Sequence, residues 1–193
     1  MGAVVGVLAL QGAFAAHEHS LTELGVRTRQ VRTPAELRRV DALVMPGGES
    51  STMSQLLESS SLFDPIAERL ESDMPVFGTC AGMILLASTV FDGRADQRNF
   101  SAIDISVRRN AYGRQNESFE TDLTVKGLAK PFHAVFIRAP KVEAVGRGVR
   151  VLASHDGVPV LVRQGSVMVA SFHPELTPDT RLHQLFVHDL RSA

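Results

Sequence analysis

Short apolar runs alternate with helical patterns through the first half of the chain, and this alternation constrains the fold most. Val4 to Leu10 is almost continuously apolar, and Ala42 to Met45 and Pro75 to Gly78 repeat the pattern. Such runs suit strands buried on both faces of a parallel sheet, where neither face meets water. Between them the spacing changes. Phe14, His17, Leu21 and Leu24 recur at helical intervals, and Gly25 stands where a helix commonly ends. Val26 to Val31 reads as a second strand. Thr33-Pro34-Ala35-Glu36 is a capping box with proline in the first turn, so a short helix begins there. Ser51 to Leu57 reads as a helix, and Asp64-Pro65 as the cap of another running to about Ser72. Strand, helix and strand in succession imply parallel βαβ units with right-handed crossovers.

The second half reads differently. Ile103 to Arg108, Phe119 to Val125, Ala134 to Ile137, Val149 to Ser154, Pro159 to Arg163 and Val167 to Phe172 are short strand candidates. Turn signals such as Asp156-Gly157 and Gln164-Gly165 separate them, which predicts antiparallel or mixed pairing. Thr177-Pro178 caps a final helix with Leu182, Leu185, Phe186 and Leu190 on one face, and Asp92 to Asn99 reads as a polar, mobile loop. The fold class expected is α/β: one three-layer domain over residues 1–193, with a mixed, mostly parallel sheet and helices on both faces.

Composition narrows the classes of function. A formal net charge of −1 leaves no electrostatic footprint for nucleic acid or an anionic membrane. The start, MGAVVGVLALQG, lacks a basic flank and is too short to span a bilayer. A lone cysteine, Cys80, forms no internal disulfide, which favours a reducing, cytoplasmic setting.

That cysteine sits in Pro75-Val76-Phe77-Gly78-Thr79-Cys80-Ala81-Gly82, a strand entering a sharp turn with glycine two residues away on each side. This is the logic of a nucleophile elbow, with sulfur in place of the usual serine oxygen. A helix starting after it would aim free N–H groups at the sulfur and favour the thiolate. The alternative is a buried structural cysteine. A nucleophile needs a base and a group to orient that base. His173 follows the last predicted strand, and Glu175 lies two residues on, close enough to fold back onto the imidazole. In an open α/β sheet the carboxyl ends of the strands carry the site, and both Cys80 and His173 lie there. His17 and His19 read as surface or helix-packing residues. His183 and His188 read as structural, and no pattern of metal ligands is present. Met45-Pro46-Gly47-Gly48-Glu49-Ser50 follows a strand, and its paired glycines bring backbone N–H groups close to a substrate. The amide of Ala81 is the second oxyanion donor expected. A phosphate-binding turn is the weaker reading, since the full glycine spacing and the lysine of such a loop are missing.

GTCAG together with SFHPE and PGGES resembles the class I (triad) glutamine amidotransferases. LALQGAFAAH, MPGGESSTM, FGTCAGMILLA, RRNAYGRQNESFE, FIRAPKVE and SFHPELTPD narrow the likeness to the glutaminase subunits of pyridoxal 5′-phosphate synthases. The segments span residues 8–179. The cysteine and HPE elements are widely shared among amidotransferases, whereas the LQG start and the Asn110-to-Gln115 block are more specific. The resemblance implies Cys80 as nucleophile, His173 as general base and acid, and Glu175 as orienting carboxylate. It places L-glutamine against Gly48, Glu49 and Ser50, with Arg109, Ile137 and Arg138 completing the pocket. It also implies a barrel-shaped synthase subunit as partner, which receives the ammonia and makes pyridoxal 5′-phosphate, a product rather than a cofactor of this chain. No cofactor, metal, nucleic acid or membrane is expected. Gln11 and the adjoining first-helix surface are the docking and activation candidates. Three rivals remain: the glutaminase subunit of another class I system, such as imidazole glycerol phosphate synthase; a cysteine hydrolase of the DJ-1/PfpI type, which has a similar elbow on a related fold but no use for the His-x-Glu pair; and a non-catalytic binding module on the same fold.

Overall fold

Val4–Leu8 (β1), the helix Phe14–Glu23 (α1), Arg27–Val31 (β2), the short helix Pro34–Leu37 (α2) and Ala42–Met45 (β3) open the computed structural model, which describes residues 2–109 and 118–190. Helices Ser50–Ser59 (α3) and Phe63–Glu71 (α4) lead into Val76–Thr79 (β4), then Ala81–Leu86 (α5). The second half holds strands Ala87–Phe91 (β5), Ile103–Arg108 (β6), Ser118–Leu123 (β7), Phe132–Ile137 (β8), Lys141–Val145 (β9), Arg150–His155 (β10), Val158–Gln164 (β11) and Val167–Ala170 (β12). A 3-10 turn, Pro174–Leu176, and helix Arg181–Leu190 (α6) follow.

The central sheet runs β10-β11-β12-β4-β3-β1-β2. The pairs from β12 through β2 are parallel, and β10 and β11 add an antiparallel edge. Because strand side chains alternate, each central strand supplies both cores. Leu8, Leu43, Val76 and Val169 pack on one face, with Met53 and Leu57 of α3, Ile66 of α4 and Leu85 of α5. Val7, Val44, Phe77 and Met168 pack on the other, with Leu21 of α1, Phe186 of α6 and Phe136 of β8. The mostly parallel sheet with helices on both faces is the architecture the apolar runs predict. No helix among the described residues is long and apolar enough to cross a membrane.

Several local expectations need correction. The cap of α4 is Leu62, and Asp64 lies within the first turn. The last helix starts later than Thr177-Pro178 implies, at Arg181, whose N–H donates to Asp179 Oδ1 at 3.1 Å. β5 and β9 were hidden in the sequence: Ala87 reads as the end of an apolar helical run, and Lys141-Val142-Glu143 has little apolar content to mark it. The Asp92 to Asn99 segment is tied down rather than free. Arg98 pairs with Glu58 and Asp64 and lies over the Phe63 ring, while its N–H donates to Ser54 Oγ at 3.0 Å. The Thr33 capping box forms as predicted, with Glu36 N–H donating to Thr33 Oγ1 at 3.3 Å. Of the Asn110-to-Gln115 block, nothing falls among the described residues.

The two glycines that flank Cys80 explain how α5 seats on the sheet. A Cβ at Gly82 would lie 2.2 Å from the Met45 carbonyl oxygen, and one at Gly78 would lie 2.8 Å from the Gly82 carbonyl carbon. Neither position has room for a side chain, because backbone meets backbone there. Gly82→Ala is therefore expected to destabilise the fold by about 1–3 kcal/mol. Urea unfolding checks this: the midpoint should fall with the slope unchanged, and an unchanged midpoint would show that the close approach is dispensable.

Candidate active site

Cys80 joins β4 to α5 with φ 50° and ψ −106°, a backbone conformation costly for any residue with a Cβ. Two hydrogen bonds hold it. Cys80 N–H donates to the Ala170 carbonyl at 2.9 Å, and its own carbonyl accepts from Ile84 N–H at 3.2 Å. The elbow geometry is thus realised, although α5 is only six residues long and offers less of a helix terminus than the sequence suggests. Cys80 is 6% exposed, and Sγ lies 4.0 Å from the Ile137 carbonyl oxygen. Ile137 ends β8, and Arg138 after it has φ 46°, so the chain turns sharply beside the sulfur.

The base comes from the neighbouring strand. β12 pairs with β4 in register Ala170↔Thr79, so the chains leaving both strands emerge side by side. His173 N–H donates to the Val135 carbonyl at 2.9 Å, which fixes the imidazole's origin against β8. Its Nδ1 lies 2.8 Å from Glu175 Oε1, and its ring also makes a hydrogen-bonding contact with the Cys80 side chain. Burial alone would lower the His173 pKa, but the bonds to Cys80 and Glu175 outweigh it and push it up to about 10. The arrangement therefore favours an imidazolium beside the sulfur. Glu175 itself is buried, its side chain wholly out of contact with solvent.

The Gly47-Gly48 turn closes the other side. A Cβ at Gly47 would lie 2.6 Å from His173 Cε1 and 3.3 Å from Cys80 Cβ, so this backbone runs directly against both reacting side chains. Gly12, with φ 83°, packs so tightly on the Gly47 carbonyl that a Cβ there would lie 1.7 Å from its oxygen. Gly48 has φ 151°, and Glu49 N–H donates to Gln11 Oε1 at 3.1 Å. Gln11 and Gly12, in the segment that follows β1, thus brace the turn. Ala81, the second oxyanion donor expected, opens α5 next to the nucleophile and is 1% exposed.

Glu49, Ser50 and Arg109 gather at the same end of the sheet. Glu49 caps α3 by accepting from Ser51 N–H at 3.1 Å and Thr52 N–H at 2.7 Å, and it also pairs with Arg109. Burial opposes ionisation of Glu49, but the Thr52 and Ser51 hydrogen bonds and the Arg109 charge hold its carboxyl below the usual range. Arg109 also donates to Ser51 Oγ at 2.6 Å and Gln97 Oε1 at 3.3 Å, and Ser50 Oγ donates to Gln97 Oε1 at 3.3 Å. Arg138 is exposed at the rim.

Sequence reasoning missed two participants. Gln97 lies in the polar stretch read as a free loop, and nothing in its local pattern marks it. His17, read as surface or packing, is wholly buried, with Nε2 3.1 Å from Thr79 Oγ1 and 3.3 Å from Glu175 Oε2. One signal was present: His17 stands at the same helical spacing as the core residue Leu21 and the half-buried Phe14. His19 is exposed, as read. Among the described residues, no group of three or more His, Cys, Asp or Glu side chains is arranged to hold a metal ion.

The raised value at His173 sets a pH dependence. Its folded pKa lies above the ordinary 6.5, so its contribution to stability is complete below that pH and is lost as pH rises through about 10. An NMR titration of the ring should place its midpoint near that value. Cys80→Ala, which removes one of the two raising contacts, should bring the midpoint down. A midpoint near 6.5 in the unaltered chain would contradict the coupling.

A family model described as the SNO glutamine amidotransferase family matches residues 7–192. A "Pyridoxal 5′-phosphate synthase subunit PdxT" of Mycobacteroides abscessus is 56% identical over 193 residues, covering 100% of both chains. A protein of the same description from a Nocardioides species is 55% identical, covering 95% of this chain and 94% of that one. A crystal structure of a glutamine amidotransferase superposes with a TM-score of 0.90 at 47% identity, over 98% of this chain and 99% of the other. A glutamine amidotransferase of Thermotoga maritima, with TM-score 0.64 and 15% identity over 100% of this chain and 85% of that chain, shares the fold. With the cysteine elbow and its histidine and glutamate in place at the carboxyl ends of β4 and β12, the chain belongs to the SNO glutamine amidotransferase family.

Proposed function

We propose that the chain hydrolyses L-glutamine to L-glutamate and ammonia, and that it hands the ammonia to a synthase subunit that makes pyridoxal 5′-phosphate. The observation that carries this is the contact of His173 with both Cys80 and Glu175 at the carboxyl ends of β4 and β12. In the paired state the sulfur attacks the side-chain amide carbon of glutamine as a thiolate. N–H groups of the Gly47-Gly48 turn and of Ala81 receive the oxyanion. As the intermediate collapses, the His173 imidazolium gives its proton to the departing nitrogen. Ammonia leaves and a γ-glutamyl thioester remains. Neutral His173 then takes a proton from water, the hydroxide adds to the thioester, and collapse expels the thiolate and frees glutamate. Glu175 keeps the ring in the tautomer that faces sulfur and stabilises its charge.

Substrate recognition rests on the polar cluster beside the turn. The α-carboxylate of glutamine suits the Arg109 guanidinium, which is already oriented by Glu49, Ser51 and Gln97. Ile137, Arg138 and Ser50 would complete the glutamine pocket, a role supported for Ile137 by its carbonyl 4.0 Å from the sulfur. Gln11 is placed to report docking of the synthase subunit, because its side-chain oxygen holds the Glu49 amide and thereby the oxyanion turn.

Glutamate release, measured with and without the synthase subunit, tests the proposal. Cys80→Ala should remove activity under both conditions by at least about a thousandfold. Retention of partner-stimulated activity in that variant would refute Cys80 as the nucleophile and leave a binding module as the better description. Arg109→Ala should raise KM for glutamine by about tenfold or more, with a smaller change in kcat. A fall in kcat with KM unchanged would show that Arg109 orders the turn rather than the substrate.

A further inference from the structure

Behind the triad lies a buried polar chain that the glutaminase chemistry above does not use. Glu175 has two carboxylate oxygens. Oε1 meets His173, whereas Oε2 is buried and has no well-aligned hydrogen-bond partner. The polar atom that faces Oε2 is His17 Nε2, 3.3 Å away and shared with Thr79 Oγ1 at 3.1 Å. On its far side, His17 Nδ1 lies 2.9 Å from His183 Nε2 of α6. His183 Nδ1 is buried without a partner, and both histidine rings stand edge-on to Phe77. Both rings are wholly out of contact with solvent. Burial lowers the pKa of each, for His17 well below its ordinary value and for His183 to about 4, so both are neutral at pH 7.

Two neutral rings joined by one hydrogen bond have two possible proton arrangements, and the surroundings tell them apart. Suppose His17 carried its proton on Nδ1 and donated it to His183. The His17 Nε2 lone pair would then face a buried carboxylate oxygen, and His183 would carry an N–H on Nδ1 with nothing to receive it. Orphaned buried N–H groups are rarer and costlier than unmet acceptor lone pairs. In the opposite arrangement His183 Nε2–H donates to His17 Nδ1. His17 Nε2–H then bonds Thr79 Oγ1 with Glu175 Oε2 3.3 Å away, and the ring atom left unmet is the acceptor His183 Nδ1. Both ring N–H groups then meet an acceptor.

We infer that His17 is a positioning residue of the triad: a neutral Nε2–H donor, set in that tautomer by His183, that bonds Thr79 of the elbow and, 3.3 Å from the second oxygen of Glu175, steadies that oxygen by charge–dipole attraction. The chain of contacts runs from α6 through α1 to the carboxylate, then to His173 and the sulfur. His17 touches neither substrate nor reacting atoms. Its effect is to fix the rotation of the Glu175 carboxylate and so the aim of the His173 ring. The inference rests on the glutaminase reading only for its consequence on rate; the tautomers stand independently of it.

The test has two parts. In the uniformly 15N-labelled full chain, ring-nitrogen shifts should show His17 and His183 each protonated on Nε2 and bare on Nδ1. A His17 protonated on Nδ1, or on both nitrogens, overturns the inference without any mutation. The second part compares His17→Gln with His17→Asn in the presence of the synthase subunit. A glutamine amide reaches the place of Nε2, whereas an asparagine amide reaches that of Nδ1. His17→Gln should keep kcat within about threefold, and His17→Asn should lose about tenfold to a hundredfold, as when other supporting partners are removed. Both should leave KM for glutamine within about twofold. Equal losses in two folded variants, or losses confined to KM, would mean that His17 merely fills space. If neither variant folds, the tautomer measurement decides. If the unaltered chain releases no glutamate even with its partner, the glutaminase reading fails while the tautomer result still judges this one.

Discussion

The parallel pairing of β12 with β4 is the contact on which the rest of the site depends. Its last rung, Ala170 beside Thr79, is extended by the hydrogen bond from Cys80 N–H to the Ala170 carbonyl. Parallel strands end on the same edge, so this single pairing brings a cysteine and a histidine ninety-three positions apart into contact. The neighbours continue the logic. β3 lies beside β4 and delivers the Gly47-Gly48 turn, and β1 lies beside β3 and delivers Gln11 and Gly12. A slip of one residue in any of these pairs would send alternate side chains to the opposite face and dissolve the cluster. The two cores forbid it, since Val76 and Phe77 belong to opposite ones.

The same pairing explains how the strain at Cys80 persists. A residue with φ 50° and ψ −106° costs of the order of 1–3 kcal/mol, and it lasts only where the surroundings over-determine it. Here the strand before Cys80 is buried on both faces, and the helix after it is seated backbone-to-backbone through Gly82 on Met45. Relaxing the turn would lift α5, whose residues from Ala81 to Leu86 are all buried. The strain is small beside that burial, at about 1.5–3 kcal/mol for each large apolar side chain. Sulfur is therefore held where an unstrained turn would not present it.

What could be read from the chain follows from how local each signal is. β1, β3 and β4 announce themselves because a doubly buried strand must be apolar at every position. The elbow is legible because backbone contact at Gly78 and Gly82 excludes every other residue, and the His173–Glu175 spacing is a two-residue relation. β5 and β9 were not legible, because they pair in a small separate sheet with β6 and carry no distinctive pattern. The roles of Gln97 and His17 were not legible for a deeper reason. Gln97 reaches Ser50, Ser51 and Arg109 across the fold, and His17 reaches Thr79, Glu175 and His183. Polar contacts between distant segments leave no periodicity in either partner. Only the resemblance to amidotransferases carried Arg109, Ile137 and Arg138 into view beforehand.

A buried carboxylate with two buried histidines behind it is not a stabilising way to fill this part of the core. Apolar residues of similar volume would pack against Phe77 without any desolvation penalty. The histidines make sense if the requirement is orientation rather than stability. A carboxylate held at one oxygen alone can rotate about its side-chain bonds and swing the ring it supports. Bonded to His173 at one oxygen and faced at 3.3 Å on the other by a donor that Thr79 ties to the elbow, Glu175 is steadied against the same backbone that carries the nucleophile. The distance between base and sulfur is then set by one rigid unit of strand end, helix start and buried polar chain. Neutral histidines suit the task better than a lysine or arginine would. A full positive charge beside Glu175 would neutralise the carboxylate's pull on His173, and that pull is what keeps an imidazolium next to the sulfur.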